Sequence, residues 1–306
     1  MTHPSTHESR RGLRNALVAG LLGLVLAPAF AAGTLDKAKD TGKLTFGYTN
    51  KARPYAYADA SGKPAGYAIA LCNRIAESLK TELKQPTLAI DYVVVTREEA
   101  FTAVQQGKVD LLCGAVPTLE RRALVDFSIP IMLSGAGVAL RADAPIRLLQ
   151  AVSGATPTGP AWRASPDQAP QRTVIAVVDG VPIENALNSA LKERRLNAEL
   201  VPVKDTAAGL ELLAMRKADA FIQDRAVLLD SVTRRGGNDL VVAGRTFRRD
   251  VVAMAVRRDD ADFRLFVDRV LSRLYRTPAL SELYARHFGT PTPEALDFFK
   301  LVSFPD

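Results

Sequence analysis

Histidine is nearly missing from this 306-residue chain: three in all, with His3 and His7 at the very start and His287 alone in the body. A histidine-based triad or a zinc centre has almost no material to draw on. Cysteine is as scarce. Cys72 and Cys113 are the only two, far apart in sequence, and cannot by themselves build a structural metal site. Also absent are a phosphate-cradling G-x-x-x-x-G-K-S/T loop, a G-x-G-x-x-G after the first strand, H-E-x-x-H, G-x-S-x-G and C-x-x-C. The chemistries those motifs carry leave no trace, and neither cofactor nor metal is expected.

No sign of charge dominates. Lys and Arg number 40 against 33 Asp and Glu, a formal +7, but the basic residues sit in scattered pairs such as Arg194-Arg195 and Arg248-Arg249, interleaved with acids. That pattern reads as a solvated surface and argues against a nucleic-acid partner. With 47% hydrophobic residues, the chain can bury one large core or two smaller ones, and its length suggests about two domains.

Only one long apolar run occurs, Ala16 to Ala27. It follows Arg10, Arg11 and Arg14, precedes the small-residue sequence Ala29-Phe30-Ala31, and falls short of the ~20 residues a membrane span needs. Residues 1–31 are therefore expected to be a secretory signal and the mature protein to be exported to the periplasm. Ser9-Arg10-Arg11-Gly12-Leu13 also loosely resembles a twin-arginine signal. No cysteine directly follows the signal, so no lipid anchor is expected. In an exported chain Cys72 and Cys113 form either a disulfide or two buried thiols.

Short β-branched runs alternate with segments of helical period, which predicts parallel strands with crossover helices. Strands are expected at Lys43–Tyr48, Leu88–Val95 and Val109–Cys113, with helices at Tyr67–Leu83 and Glu98–Gln106 between them. The second half repeats the order: strands at Thr173–Val178, Glu199–Val203 and Ala218–Ile222, helices at Ile183–Glu193 and Thr206–Met215. Two such units imply two lobes, each an open α/β sheet. Gly135–Arg141 and Asp250–Val256 are the candidate crossings, placing lobe one at 32–137 plus 255–306 and lobe two at 138–254. The Pro- and Gly-rich stretch Ser153–Gln171 is either a flap carrying Trp162 or an insertion.

Open α/β sheets bind ligands beyond the carboxyl ends of their strands. The loop Gly114 to Arg121 runs from a strand into a helix start with Thr118 as candidate N-cap. Arg121 in that first turn is either a grip for a carboxylate or a surface ion pair with Glu120 or another nearby acid. Asp224, at a strand end, is placed to pair with an ammonium group, to cap a helix, or both. Tyr55 and Tyr57 offer either an aromatic wall or core packing.

The order of Arg53-Pro54-Tyr55, Gly62-Lys63-Pro64-Ala65-Gly66-Tyr67, Val109-Asp110-Leu111-Leu112-Cys113-Gly114, Thr118-Leu119-Glu120-Arg121, Val125-Asp126-Phe127-Ser128 and Asp224-Arg225-Ala226 resembles periplasmic solute-binding proteins of amino-acid ABC transporters. The glutamate/aspartate-type branch is nearest. The resemblance implies a bilobal fold hinged by two strands, a monomer that closes over a small ligand, and a transporter permease as partner. It implies that Arg121 grips an α-carboxylate, that Asp224 takes an α-ammonium, that Tyr55 lines the cleft, and that Cys72 and Cys113 match a cysteine pair of that branch. The departures are Val116, where the family has Ser or Thr, and Gly180-Val181-Pro182, where it has Gly-Thr-Thr. Thr49 stands where glutamate-binding relatives place an Arg, and Arg97 and Ala100 where they place a Ser and an Arg. Val116 and Val181 would tolerate an apolar ligand part, while Arg97 is the candidate for a distal anion. Two alternatives use the same fold: a periplasmic sensor or assembly partner without transport, and a cyclohexadienyl dehydratase-like enzyme with Asp224, Glu98 or Glu99 as its acid.

Overall fold

The computed structural model describes residues 33–145, 148, 172–179, 198–244, 246 and 248–305. The signal segment, Ser153–Gln171 with Trp162, the Gly180-Val181-Pro182 loop and the expected helix at Ile183–Glu193 lie outside the described residues. Gly33–Asp306 forms one compact unit. Among the described residues no helix is long and apolar enough to cross a membrane.

Three parallel strands build the first wing of the sheet. The strand β1 (Lys43–Tyr48) lies between β5 (Ala89–Val94) and β6 (Leu111–Ala115). The second wing repeats this order: β8 (Thr173–Val178) lies between β9 (Ala198–Val203) and β10 (Ala220–Asp224), again parallel. The inner strands β1, β6, β8 and β10 are mostly apolar, as parallel strands covered on both faces must be; Phe46, Leu111, Ile222 and Phe221 are at most 2% exposed.

The crossings are longer than their sequence pattern indicates. The strand β7 runs unbroken from Val125 to Arg141, and β12 from Arg248 to Arg257. They pair antiparallel with each other, β12 also with β6 and β7 also with β10. A short β11 (Leu240–Val242) adds to β7. Among the described residues these two strands join the two expected open sheets into one nine-stranded, hydrogen-bonded sheet. The reason is local: Val125 to Pro130 pairs with the first wing's side and Ala136 to Leu140 with the second's, so one strand belongs to both.

Helices cover each wing. In the first, α2 (Tyr67–Glu82) buries Ile69, Leu71, Cys72, Ile75 and Leu79 along one stripe, the period expected of a core-facing helix. Cys72 on α2 and Cys113 on β6 are joined as a disulfide inside this core. Short helices α3 (Ala100–Gln105) and α4 (Leu119–Arg122) follow β5 and β6. In the second wing α5 (Thr206–Ala214) and α6 (Arg225–Arg235) follow β9 and β10. The chain then returns through β12 to α7 (Ala261–Tyr275), α8 (Pro278–Phe288) and α9 (Pro293–Val302), which complete the first core with Phe263, Leu283 and Phe299. The N-terminal helix α1 (Thr34–Thr41) and a small three-stranded sheet, β2 (Lys51–Ala52), β3 (Ala56–Ala58) and β4 (Pro64–Ala65), were not expected from periodicity.

Candidate functional site

Strand ends of both wings converge on a cavity of about 180 Å³. Thr49, Arg97, Gly114 and Val116 reach it from the ends of β1, β5 and β6, with Arg121 just beyond. Gln223 and Asp224 reach it from the end of β10, and Ser134 and Val252 from the crossing strands. The loops singled out from the strand pattern are thus brought together across one cleft.

The first wall is cationic. Thr118 caps α4, its hydroxyl accepting from the Arg121 amide at 3.1 Å, which fixes Arg121 in the opening turn. The Arg121 guanidinium donates Nη1 to the Val116 carbonyl at 2.7 Å and lies over the Phe101 ring, 4.7 Å from its centroid. Stacking and one hydrogen bond hold the planar fork in place while the rest of its five donors remain to be used. Burial lowers its pKa from the ordinary guanidinium value, and the positive charge of Arg97 pushes the same way. Among the described residues no carboxylate forms an ion pair with Arg121, so a surface bridge to Glu120 is not what the fold builds. Gly114 holds φ +109°, a left-handed backbone that a side chain would strain. Thr118 itself does not line the cavity; it acts through α4.

The second wall is a carboxylate with its donors in place. Asp224 Oδ1 accepts from the amides of Ala226 at 2.9 Å and Val227 at 3.1 Å, capping α6. Its Oδ2 accepts from the Ser134 hydroxyl and, at 3.4 Å, from Tyr55 Oη. Burial raises the Asp224 pKa above the usual carboxylate range, and these hydrogen bonds partly restrain the shift. Of the two roles foreseen for this position, the structure makes the helix cap, and the same carboxylate lines the cavity. Ser134 was missed because the strand signal starts at Gly135, one residue later.

Tyr55 both packs in the first core and lines the cavity. The residue is 8% exposed, its ring tilts against Phe288 at 5.5 Å, and its hydroxyl donates to Asp224 at 3.4 Å. Burial raises its pKa well above the ordinary phenol value, so it remains a donor. Glu98 and Glu99 are exposed and do not line the cavity, while Val181 lies outside the described residues. Among the described residues no group of three His, Cys, Asp or Glu is gathered for a metal.

A model of the bacterial extracellular solute-binding proteins, family 3, matches residues 44–290. An L-glutamate/L-aspartate-binding protein of Pseudomonas aeruginosa is 28% identical over 284 residues, covering 92% of this chain and 88% of its own length. A glutamate/aspartate import solute-binding protein of Escherichia coli is 24% identical over 280 residues, covering 91% and 87%. Among solved structures, an ancestral amino acid-binding protein described as a precursor of cyclohexadienyl dehydratase superposes with a TM-score of 0.66 at 23% identity, covering 84% of this chain and 100% of that one.

Proposed function

We propose, since the chain belongs to the bacterial extracellular solute-binding proteins of family 3, that it captures a small carboxylated, amino-acid-like solute in the periplasm and delivers it to an ABC importer. The observation that carries this reading is the opposition of the stacked Arg121, in no ion pair among the described residues, to the half-buried Asp224 across one small cavity. A guanidinium fork takes a carboxylate by two parallel hydrogen bonds, and a carboxylate facing it gives an ammonium or hydroxyl its partner. Arg97 on the same wall offers a second cation for a distal anionic group. Val116 contributes its carbonyl to Arg121 rather than a hydroxyl to the ligand, which favours a ligand with an apolar segment there.

In this reading β7 and β12 are the hinge, the lobes being 32–137 with 255–306 and 138–254, and the monomer closes by bending those two strands. Residues 1–31 direct export and are removed. Native mass spectrometry of the protein released from a periplasmic extract tests it. A single retained small molecule that bears a carboxylate is expected; a retained amine without an acid group would refute the assignment.

The dehydratase-like alternative needs a protonated cleft acid. Asp224 is the one carboxyl among Asp224, Glu98 and Glu99 that lines the cavity, and its pKa is raised. Yet two backbone amides and two hydroxyls all donate to it, an arrangement that favours the ionised form. Binding without turnover is the reading this supports. Absence of prephenate consumption is expected, and consumption lost in Asp224→Asn would reverse the choice.

A further inference from the structure

We infer that residues 51–55 form a three-point clasp that holds the cleft closed without ligand. Alternate residues of this one segment each reach an aspartate of the second wing. Lys51 Nζ lies 3.5 Å from Asp205, Arg53 Nε 3.3 Å from Asp230, and Tyr55 Oη 3.4 Å from Asp224. All the cations are on one side and all the carboxylates on the other.

Both halves of the clasp are fixed before they meet. On the first side, Lys51 and Ala52 pair with Tyr57 and Ala56. The carbonyls of Pro54 and Tyr55 accept from the amides of Tyr67 and Ala68 at 3.0 and 2.9 Å, tying the segment to the start of α2. This close approach depends on Gly66, where a Cβ would stand 2.4 Å from the Tyr55 carbonyl oxygen. The Arg53 guanidinium is oriented by the Tyr57 ring, 4.1 Å below it. On the second side, Asp205 caps α5 through the Ala208 amide at 3.0 Å, and Asp230 is held by Arg234 at 2.7 Å.

An exposed ion pair contributes little to the stability of a fold. A hinge equilibrium is different, because open and closed forms differ by only a few kcal/mol and modest pairs shift their populations. Because closure is a condition of capture, the fraction already closed scales apparent affinity. The clasp thereby sets how far the protein is poised for ligand. It rests on the reading of the cleft as one that opens, but not on any ligand's identity.

The test uses ligand-free protein with spin labels on Val94→Cys in the first wing and Met215→Cys in the second, both exposed, the native cysteines being bridged. Electron–electron double resonance should give one short inter-label distance at low salt. In Lys51→Gln/Arg53→Gln the longer-distance population should rise about two- to fivefold, as loss of exposed pairs implies. About 1 M salt should reproduce that rise in the unaltered clasp, and Lys51→Arg/Arg53→Lys should retain the short distance. Distributions identical in clasp, Gln variant and high salt would overturn the inference. Because no ligand enters this experiment, a failure of the ligand assignment leaves its outcome readable, and the reverse also holds.

Discussion

Asp224 caps α6 and, in the proposed reading, receives the ligand's ammonium, two roles that one substitution can separate. Asn caps helices as well as Asp does, whereas Ala forfeits about 1 kcal/mol. Asp224→Asn should therefore melt close to the parent yet lose stabilisation by an amine-bearing ligand, and Asp224→Ala should lose both; thermal melts with and without ligand check this. Arg121, Gly114, Val116 and Asp224 were legible as cavity residues because each lies at or just beyond a strand's carboxyl end, where this class of sheet places its ligands. Tyr55 was legible only as a choice, since exposure decides between wall and core. Ser134 was invisible, because its role depends on β7 lying beside β10, a pairing remote in sequence.

A second carboxyl shows burial acting on stability. Asp268 on α7 accepts from the Ile129 amide at 2.7 Å, and burial raises its pKa to about 6. A raised carboxylate pKa means that the unfolded chain releases this proton first, so stability falls as pH rises from about 4 to 6. Relative to the protonated form the loss amounts to at most about 3 kcal/mol. Asp268→Asn should match the parent near pH 4 and exceed it above pH 6 in denaturant titrations. Equal pH profiles would contradict this.

At the scale of elements, the strands and amphipathic helices among the described residues appear where period and β-branched runs put them, within a few residues, while the helix expected at Ile183–Glu193 lies outside those residues. The helix α1 escaped because its anchors are polar rather than periodic. Lys37 pairs with the buried Asp110 at 2.8 Å, and Thr34 donates its hydroxyl to Asp260 at 2.6 Å. The helix α9 had a local signal, Thr292 capping before Pro293 and Glu294, that apolar spacing alone does not reveal. Packing between α5 and β10 is close enough to test. A Cβ on Gly209 would stand 2.4 Å from the Phe221 ring, so Gly209→Ala should cost about 1 to 3 kcal/mol despite its better helix propensity, read from urea midpoints. The Cys72–Cys113 bridge joins α2 to β6 across 41 residues. By loop closure its replacement by two alanines should cost about 4 kcal/mol, seen as a lowered melting temperature that reductant reproduces in the parent.

At the scale of the molecule, the sequence pattern shows a repeated β-α-β order, and the fold repeats it as β5-β1-β6 and β9-β8-β10. What the pattern does not show is that β7 is continuous from one wing to the other and that β12 pairs along it. The middle of β7 carries Pro130, Ser134 and Gly135, and β12 begins with Arg248 and Arg249, residues that read as turn or surface. Those two strands place Ser134 and Val252 on the cavity, so the candidate hinge and the candidate site share residues. Any bend there moves Arg121 and Asp224 relative to each other, which is the coupling between capture and closure that a binding protein needs.

That coupling has meaning only if Arg121 holds a ligand. The decisive measurement is thermal melting of protein unfolded and refolded to strip any carried solute, against a panel of amino acids, dicarboxylates and related acids. At about 100 times its dissociation constant the right ligand adds about 2.7 kcal/mol, a rise of several degrees that Arg121→Ala should abolish. No shift across the panel in well-folded protein, or a shift that survives Arg121→Ala, would contradict the assignment of this cleft.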